Sequence, residues 1–310
     1  MISMKKILAG VVCGLAALGF SLPGDTCCCV PRYHVRQQKV DPMRLAQQKA
    51  FIFREGKNEH LVLSVRYEGG SADFAWIIPV EGKPKVDVLN GAPFNELHRL
   101  TEIPEPAQAG GRMEARASAP SAKSVQVIER KEAGPYDLAV LKASDAGGLY
   151  QWLKANQFNV SKDARGAFDH YVQRDFYFVA ARIRPKSTDN QTVAARLRGG
   201  TIAPLHMIYP TAHLSYPLKV TTGNPGPSQM DMYVLEDEPL ANPGKLGFRA
   251  HTFLLSPLGE KGFRVSGPSG ANNPRGLYPT LRGLIPKGGK LTHYSGTLQD
   301  SQRQKDLVFD

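Results

Sequence analysis

The spacing of apolar residues in this 310-residue chain predicts an α+β fold in one domain, mostly antiparallel sheet with a few packed helices. Three observations carry that prediction. Apolar residues alternate with polar ones in several short runs, the period-two signature of a half-buried strand. Most of these runs are joined by Gly, Pro and Asn turns rather than by helices, as antiparallel neighbours are. Only three stretches place apolar residues at helix spacing, around Phe94, Trp152 and Phe168.

In chain order, His60 to Tyr67 alternates Leu61, Leu63, Val65 and Tyr67 with Ser64 and Arg66. Gly69, Gly70 and Ser71 make a turn, and Asp73 to Val80 is rich in aromatic and β-branched residues. The pair reads as an antiparallel hairpin with a central second strand, and Pro79, which lacks an N–H, marks its end or an edge. Ala92 to Leu100 is a short helix with Phe94, Leu97 and Leu100 on one stripe. Ile103 to Lys123 has three prolines, paired glycines and no period, and is read as a flexible internal loop. Val125 and Val127 open a strand after Ser124, and Asp137 to Lys142 follows the Gly134-Pro135 turn as another.

Leu149, Trp152 and Leu153 define a helix within Asp145 to Gln157. A second helix carries Ala164, Phe168, Tyr171 and Val172, with Ser161 as its N-cap. The short connection predicts that the two pack together, with Trp152 and Tyr171 in the core. Asp175 to Arg184, Leu205 to Tyr209, Leu218 to Thr222, Met230 to Leu235 and Gly247 to Leu255 read as further strands. Gly223 to Pro227 is a turn between two of them. Gly283 to Asp310 is punctuated by glycine until Leu307, Val308 and Phe309.

The first 24 residues read as an export signal. Lys5 and Lys6 precede an uncharged run of about 14 residues, Ile7 to Phe20, too short to span a bilayer. Small residues Ala17 and Gly19 offer one cleavage site. The mature chain, 25–310, is expected to be periplasmic or secreted and to carry no transmembrane helix. Of four cysteines, Cys13 lies in the signal, and Cys27, Cys28 and Cys29 are consecutive just after it. Three adjacent thiols cannot all pair internally, so a disulfide to another chain is expected from this cluster. The formal net charge is +11, and about +9 without Lys5 and Lys6. Outside the cytoplasm such a surface meets an anionic envelope component rather than nucleic acid.

Motif chemistry is sparse. The chain has no Walker phosphate loop, no dinucleotide-binding glycine fingerprint and no Gly-x-Ser-x-Gly elbow. It also lacks a His-Glu-x-x-His zinc motif, and no cofactor is expected. Two weaker constellations remain. His206 and His213, with Met207 between them and Met230 and Met232 further on, suggest a soft-metal site. Asp231, Glu236, Asp237 and Glu238 suggest paired acids for hydrolysis. Phe176, Tyr177, Phe178, Arg182 and Arg184 come closest to a nucleic-acid platform, but alternation divides them between two faces.

Cys-Cys-Cys-Val-Pro-Arg at 27–32, Asp-Phe-Ala-Trp-Ile-Ile-Pro-Val at 73–80 and Gly-Pro-Tyr-Asp-Leu-Ala-Val-Leu at 134–141 resemble the bacterial domain of unknown function 2330. The resemblance continues through 149–153, the 171–182 segment and Leu281-Arg-Gly. It implies an exported protein with cysteines soon after its signal, and one continuous domain in which 103–123 is a loop. It brings no catalytic residue with it. The expectation for function is a non-catalytic envelope or secreted binding module, with an extracytoplasmic hydrolase or metal-binding protein as the alternative.

Overall fold

A computed structural model describes residues 29–31, 44–68, 74–101, 125–156, 164–183, 195–196, 198–223, 226–236, 246–267 and 276–309. Its strands are β1 (Cys29–Pro31), β2 (Arg44–Glu55), β3 (Asn58–Glu68), β4 (Phe74–Val80), β5 (Lys85–Val88), β6 (Val125–Ala133), β7 (Tyr136–Ala143) and β8 (Tyr177–Ile183). They continue with β9 (Leu205–Pro210), β10 (Leu214–Tyr216), β11 (Ser228–Glu236), β12 (Arg249–Leu258), β13 (Gly262–Ser266), β14 (Gly289–Leu298) and β15 (Leu307–Phe309). The helices are α1 (Pro93–Thr101), α2 (Ala146–Ala155), α3 (Ala164–Val172) and α4 (Pro279–Leu284).

The strands form an eight-stranded sheet in the order β13-β12-β14-β11-β2-β3-β9-β5 and a five-stranded sheet in the order β1-β4-β8-β7-β6. β10 pairs with β15 alone. Among the described residues every strand pairing is antiparallel except β11 with β2, which is parallel. The chain is therefore mostly β, with more strand than an even α+β balance implies.

The core explains the layering. Leu61, Leu63, Met207, Met230 and Met232 of the large sheet pack against Trp76, Ile78, Leu138, Val140 and Val179 of the small one. That shared core draws on residues from both sides of 103–123. The opposite face of the small sheet, with Ile77, Leu141 and Phe178, is covered by Leu149, Trp152, Phe168 and Tyr171 of α2 and α3. The opposite face of the large sheet, with Phe51, Phe53, Val62 and Phe253, is covered by Phe94, Leu97 and Leu281 of α1 and α4. The order of layers is helix, sheet, sheet, helix.

Local sequence accounts for the junctions. Gly56 takes φ +60 in the two-residue turn between Glu55 and Asn58, the first central position of a type II′ hairpin turn that glycine favours. Asp145 caps α2 by accepting a hydrogen bond from the Gly148 amide at 2.6 Å. Arg303 is fully buried and donates to the Gly226 carbonyl and to Ser228 Oγ, holding the C-terminal segment to the start of β11.

Two sequence expectations are corrected here. His60–Tyr67 and Asp73–Val80 are not a hairpin: β3 pairs with β2 and β9, while β4 pairs with β1 and β8 in the other sheet. An apolar pattern marks which residues are buried, and two strands satisfy it equally well by facing across a core, as Leu61 and Leu63 face Trp76 and Ile78, as by lying side by side. Leu218 to Thr222 is not a strand, because Lys219–Gly223 forms a 3-10 turn. Pro79 does sit beyond the reach of β1, which pairs only with Phe74 to Trp76, so its missing N–H costs no ladder bond on that side. Residues 103–123 and Ser161 lie outside the described residues.

Candidate functional site

The outer face of the large sheet gathers the chemistry-bearing side chains. Along β2 the outward residues are Gln47, Lys49, Phe51 and Phe53; along β3 they are His60, Val62, Ser64 and Arg66. The aromatic half lies under α1 and α4. Beyond that cover, the register sets Arg249, Ser295, Asp231, Lys49 and Ser64 side by side on five consecutive strands. Four interstrand steps of about 4.8 Å make this a polar row roughly 19 Å long. Gln229, Gln47 and Arg66 continue a second row beside it. Lys49, Asp231 and Ser295 are half-buried, Arg249 is exposed, and Ser64 is buried.

Asp231 anchors the row. Its Oδ2 accepts from Gln47 Nε2 at 2.8 Å, and its Oδ1 lies 3.3 Å from His293 Nε2. Burial disfavours the carboxylate, but the hydrogen bonds from His293 and Gln47 and the charge of Lys49 outweigh it and hold the group below its ordinary range. The His293 ring lies flat on Tyr233, with centroids 4.3 Å apart and planes 9° apart. A carboxylate that orients an imidazole is the arrangement general-base chemistry uses.

A second cluster sits at the β3/β9 end of the same face. His60 Nδ1 and His206 Nε2 are 3.1 Å apart, and His60 Nε2 is 3.3 Å from Glu55 Oε2. Phe53 packs against His60 with centroids 4.5 Å apart. Burial lowers the pKa of both histidines, and for His206, at about 4, the neighbouring His60 adds to it.

Between the sheets, Glu59 is fully buried and accepts from Tyr209 Oη at 2.7 Å and from the Ser215 amide at 3.0 Å. Burial pushes its carboxyl up to about 8. On the helix side of the small sheet, a recess of about 10 Å³, room for one water, is lined by Arg130, Asp137, Trp152, Asn156 and Arg182. Arg182 Nη2 approaches Asp137 Oδ2 to 2.6 Å and Arg130 Nε approaches Oδ1 to 3.6 Å, so the cluster is internally neutralised in part.

The sequence-derived sites are rearranged. His206 meets His60, not His213, which is exposed. Met207, Met230 and Met232 are buried in the core on the opposite face from His206, so none of these three thioethers joins that imidazole. Asp231 and Glu236 fall on opposite faces of β11 by strand alternation, so those two do not pair with each other; Asp237 and Glu238 lie outside the described residues. Of the thiol cluster, Cys29 begins β1 opposite Trp76, while Cys27 and Cys28 lie outside the described residues. Among the described residues no group of three His, Cys, Asp or Glu is arranged to hold a metal, and no helix is long and apolar enough to cross a membrane. Sequence reasoning missed Gln47, Lys49, Arg249 and the pairing of Asp231 with His293. Only the alternation in β3, which sets His60 and Val62 on one face, gave any local signal.

Comparison with known proteins adds a family and little else. A search of curated proteins returns no match. Among solved structures, the chain is similar to the crystal structure of baculovirus P35, at 11% sequence identity and a TM-score of 0.38, covering 88% of this chain and 97% of that one. A likeness that loose bears on neither fold nor function. The family described as uncharacterized protein conserved in bacteria (DUF2330) matches residues 23–245, which hold the Asp231 anchor, both strands of the histidine pair and the cysteine cluster, and the chain belongs to that family.

Proposed function

We propose that this protein is a non-catalytic binding module that works outside the cytoplasm and holds an anionic envelope polymer on the outer face of its large sheet. The observation that carries the reading is the row Arg249–Ser295–Asp231–Lys49–Ser64, an array of cations and hydrogen-bonding groups held in register by five paired strands. A rigid polar row of that length suits an extended, repeating, hydroxyl-bearing and acidic ligand better than a small molecule in a closed pocket. The formal charge of about +9 left without Lys5 and Lys6 supports an anionic partner, and the signal-like first 24 residues support export.

The test is binding of the purified protein to an acidic polysaccharide and to a neutral one of the same length, at low and high salt. Preferential, salt-sensitive retention on the acidic polymer is expected, weakened several-fold in Lys49→Ala and Arg249→Ala. Equal binding to both polymers, or none, counts against it. Fractionation of the native cell tests export: the mature chain is expected outside the cytoplasm with its first residues removed.

The Asp231–His293 pair favours a second reading, a hydrolase that activates water at His293. Loss of substrate turnover in His293→Ala with polymer retention intact selects this alternative.

A further inference from the structure

We propose that His60 Nδ1 and His206 Nε2 are the two protein ligands of a site for one divalent cation of the zinc or copper(II) class. Two imidazole nitrogens bound to one ion at about 2.0–2.1 Å each, and 3.1 Å apart as here, subtend an angle of about 98°, between the square-planar and tetrahedral values. The nitrogens already stand at a chelating separation.

The tautomer of His60 is set from the other side of its ring. Glu55 Oε2 lies 3.3 Å from His60 Nε2, placed to accept a hydrogen bond from a proton on that nitrogen, and so favours the tautomer whose Nδ1 lone pair faces His206. A carboxylate behind the imidazole is the recurrent support of a metal-bound histidine, because it orients the ring and makes the ligating nitrogen more basic. The scaffold is rigid: β3 and β9 pair continuously from Asn58↔Pro210 to Leu63↔Leu205, and Phe53 backs the His60 ring.

The surroundings choose among metals. Met207 points into the core from the opposite face, so among the described residues the site offers imidazole and no sulfur for copper(I). Asp87 stands nearby on β5, but its Oδ1 accepts from the Val88 amide and its Oδ2 from Lys131 Nζ. It contributes charge, and solvent completes the coordination. A hydrogen bond between the two rings and nothing more is the competing state.

The experiment is calorimetric titration of the folded protein with Zn(II) and Cu(II), and optical titration with Co(II). The background is Cys27→Ser, Cys28→Ser, Cys29→Ser, so that thiolates contribute nothing. Saturation near one equivalent is expected. Affinity should fall by more than about tenfold in His60→Gln and in His206→Gln, and by about tenfold in the exposed Glu55→Gln at unchanged stoichiometry. His213→Gln should bind as the background does, and Co(II) bands in the visible should vanish with either ligand histidine. Should a ligand variant unfold, Glu55→Gln decides alone. The absence of saturable binding, or binding that survives removal of His206 or is indifferent to Glu55, overturns the proposal.

Discussion

Asp231 and His293, 62 residues apart in sequence, meet at 3.3 Å across the β11/β14 ladder, and the imidazole is pinned from its other side by Tyr233. The carboxylate is stabilised as an anion, so its folded pKa lies below the unfolded value. Its contribution is therefore complete above the unfolded pKa of 3.8 and is lost as pH falls through the folded one. Asp231→Asn should lower stability by about 1–2 kcal/mol near pH 6, with the difference shrinking below about pH 4. Urea titrations at pH 3 to 6 measure it.

Glu59 has the opposite sign. Its folded pKa, about 8, is raised above the unfolded 4.5, so its own contribution to stability is complete below 4.5 and is lost as pH rises to about 8. The slope across that window approaches 1.4 kcal/mol per pH unit. Glu59→Gln keeps an acceptor for Tyr209 and removes the titration, and its melting temperature should be nearly level over the window where the native protein's falls.

Gly288 and Gly259 both adopt positive φ, at +71° and +58°, but in different surroundings. A Cβ on Gly288 would stand 2.1 Å from the Leu255 carbonyl oxygen, whereas one on Gly259 meets nothing within 4 Å. Gly259→Ala should cost only the backbone strain, about 1 kcal/mol. Gly288→Ala should cost clearly more, about 3 kcal/mol or above, because backbone must also move. Equal losses in thermal melts would refute this account of the β12/β14 junction.

Tyr171 ties three parts of the chain together. Its hydroxyl donates to Asp306 Oδ1 at 2.7 Å and accepts from the Val220 amide at 3.0 Å. Asp306 Oδ1 also accepts from the Lys219 amide. Tyr171→Phe should therefore destabilise by about 1–3 kcal/mol despite its small change in volume, through the unsatisfied Val220 amide. Hydrogen exchange should report faster opening of residues 219–223 than of β8.

The thiol cluster yields the last prediction. Protein recovered from its native compartment should run as a disulfide-linked species through Cys27, Cys28 or Cys29 on a non-reducing gel and collapse to monomer with reductant. A band indifferent to reductant, with one alkylatable thiol per chain, would argue against the link.

What the sequence made legible was local. Alternation in β3, the apolar and aromatic runs of β8, β9 and β11, and the stripe of Phe94, Leu97 and Leu100 all follow from periods and propensities of a few residues. Partner choice was not legible, because the apolar residues of β3 and β4 are buried equally well whether the two strands pair or face each other across a core. The hidden strands had a physical reason too. β14 reads Gly-Lys-Leu-Thr-His-Tyr-Ser-Gly-Thr-Leu, with glycine at position 296 where Phe248 packs close, so its weak propensity is overridden by tertiary contact. The site shared that fate: His60 and His206 come within reach only because β9 docks on β3.

The parallel seam between β2 and β11 has a consequence for timing. Gln47 to Phe53 must wait for Gln229 to Leu235, 182 residues later, before the middle of the large sheet can join. The seam's far side then needs β14 and β12, drawn from the last quarter of the chain. Closing so long a loop is entropically costly and gains nothing until both strands are present, so the rate-limiting step comes after synthesis is nearly over. Under the export proposed above, a chain that passes through a membrane pore must remain unfolded on the way, and this topology would favour that delay without help from any single residue.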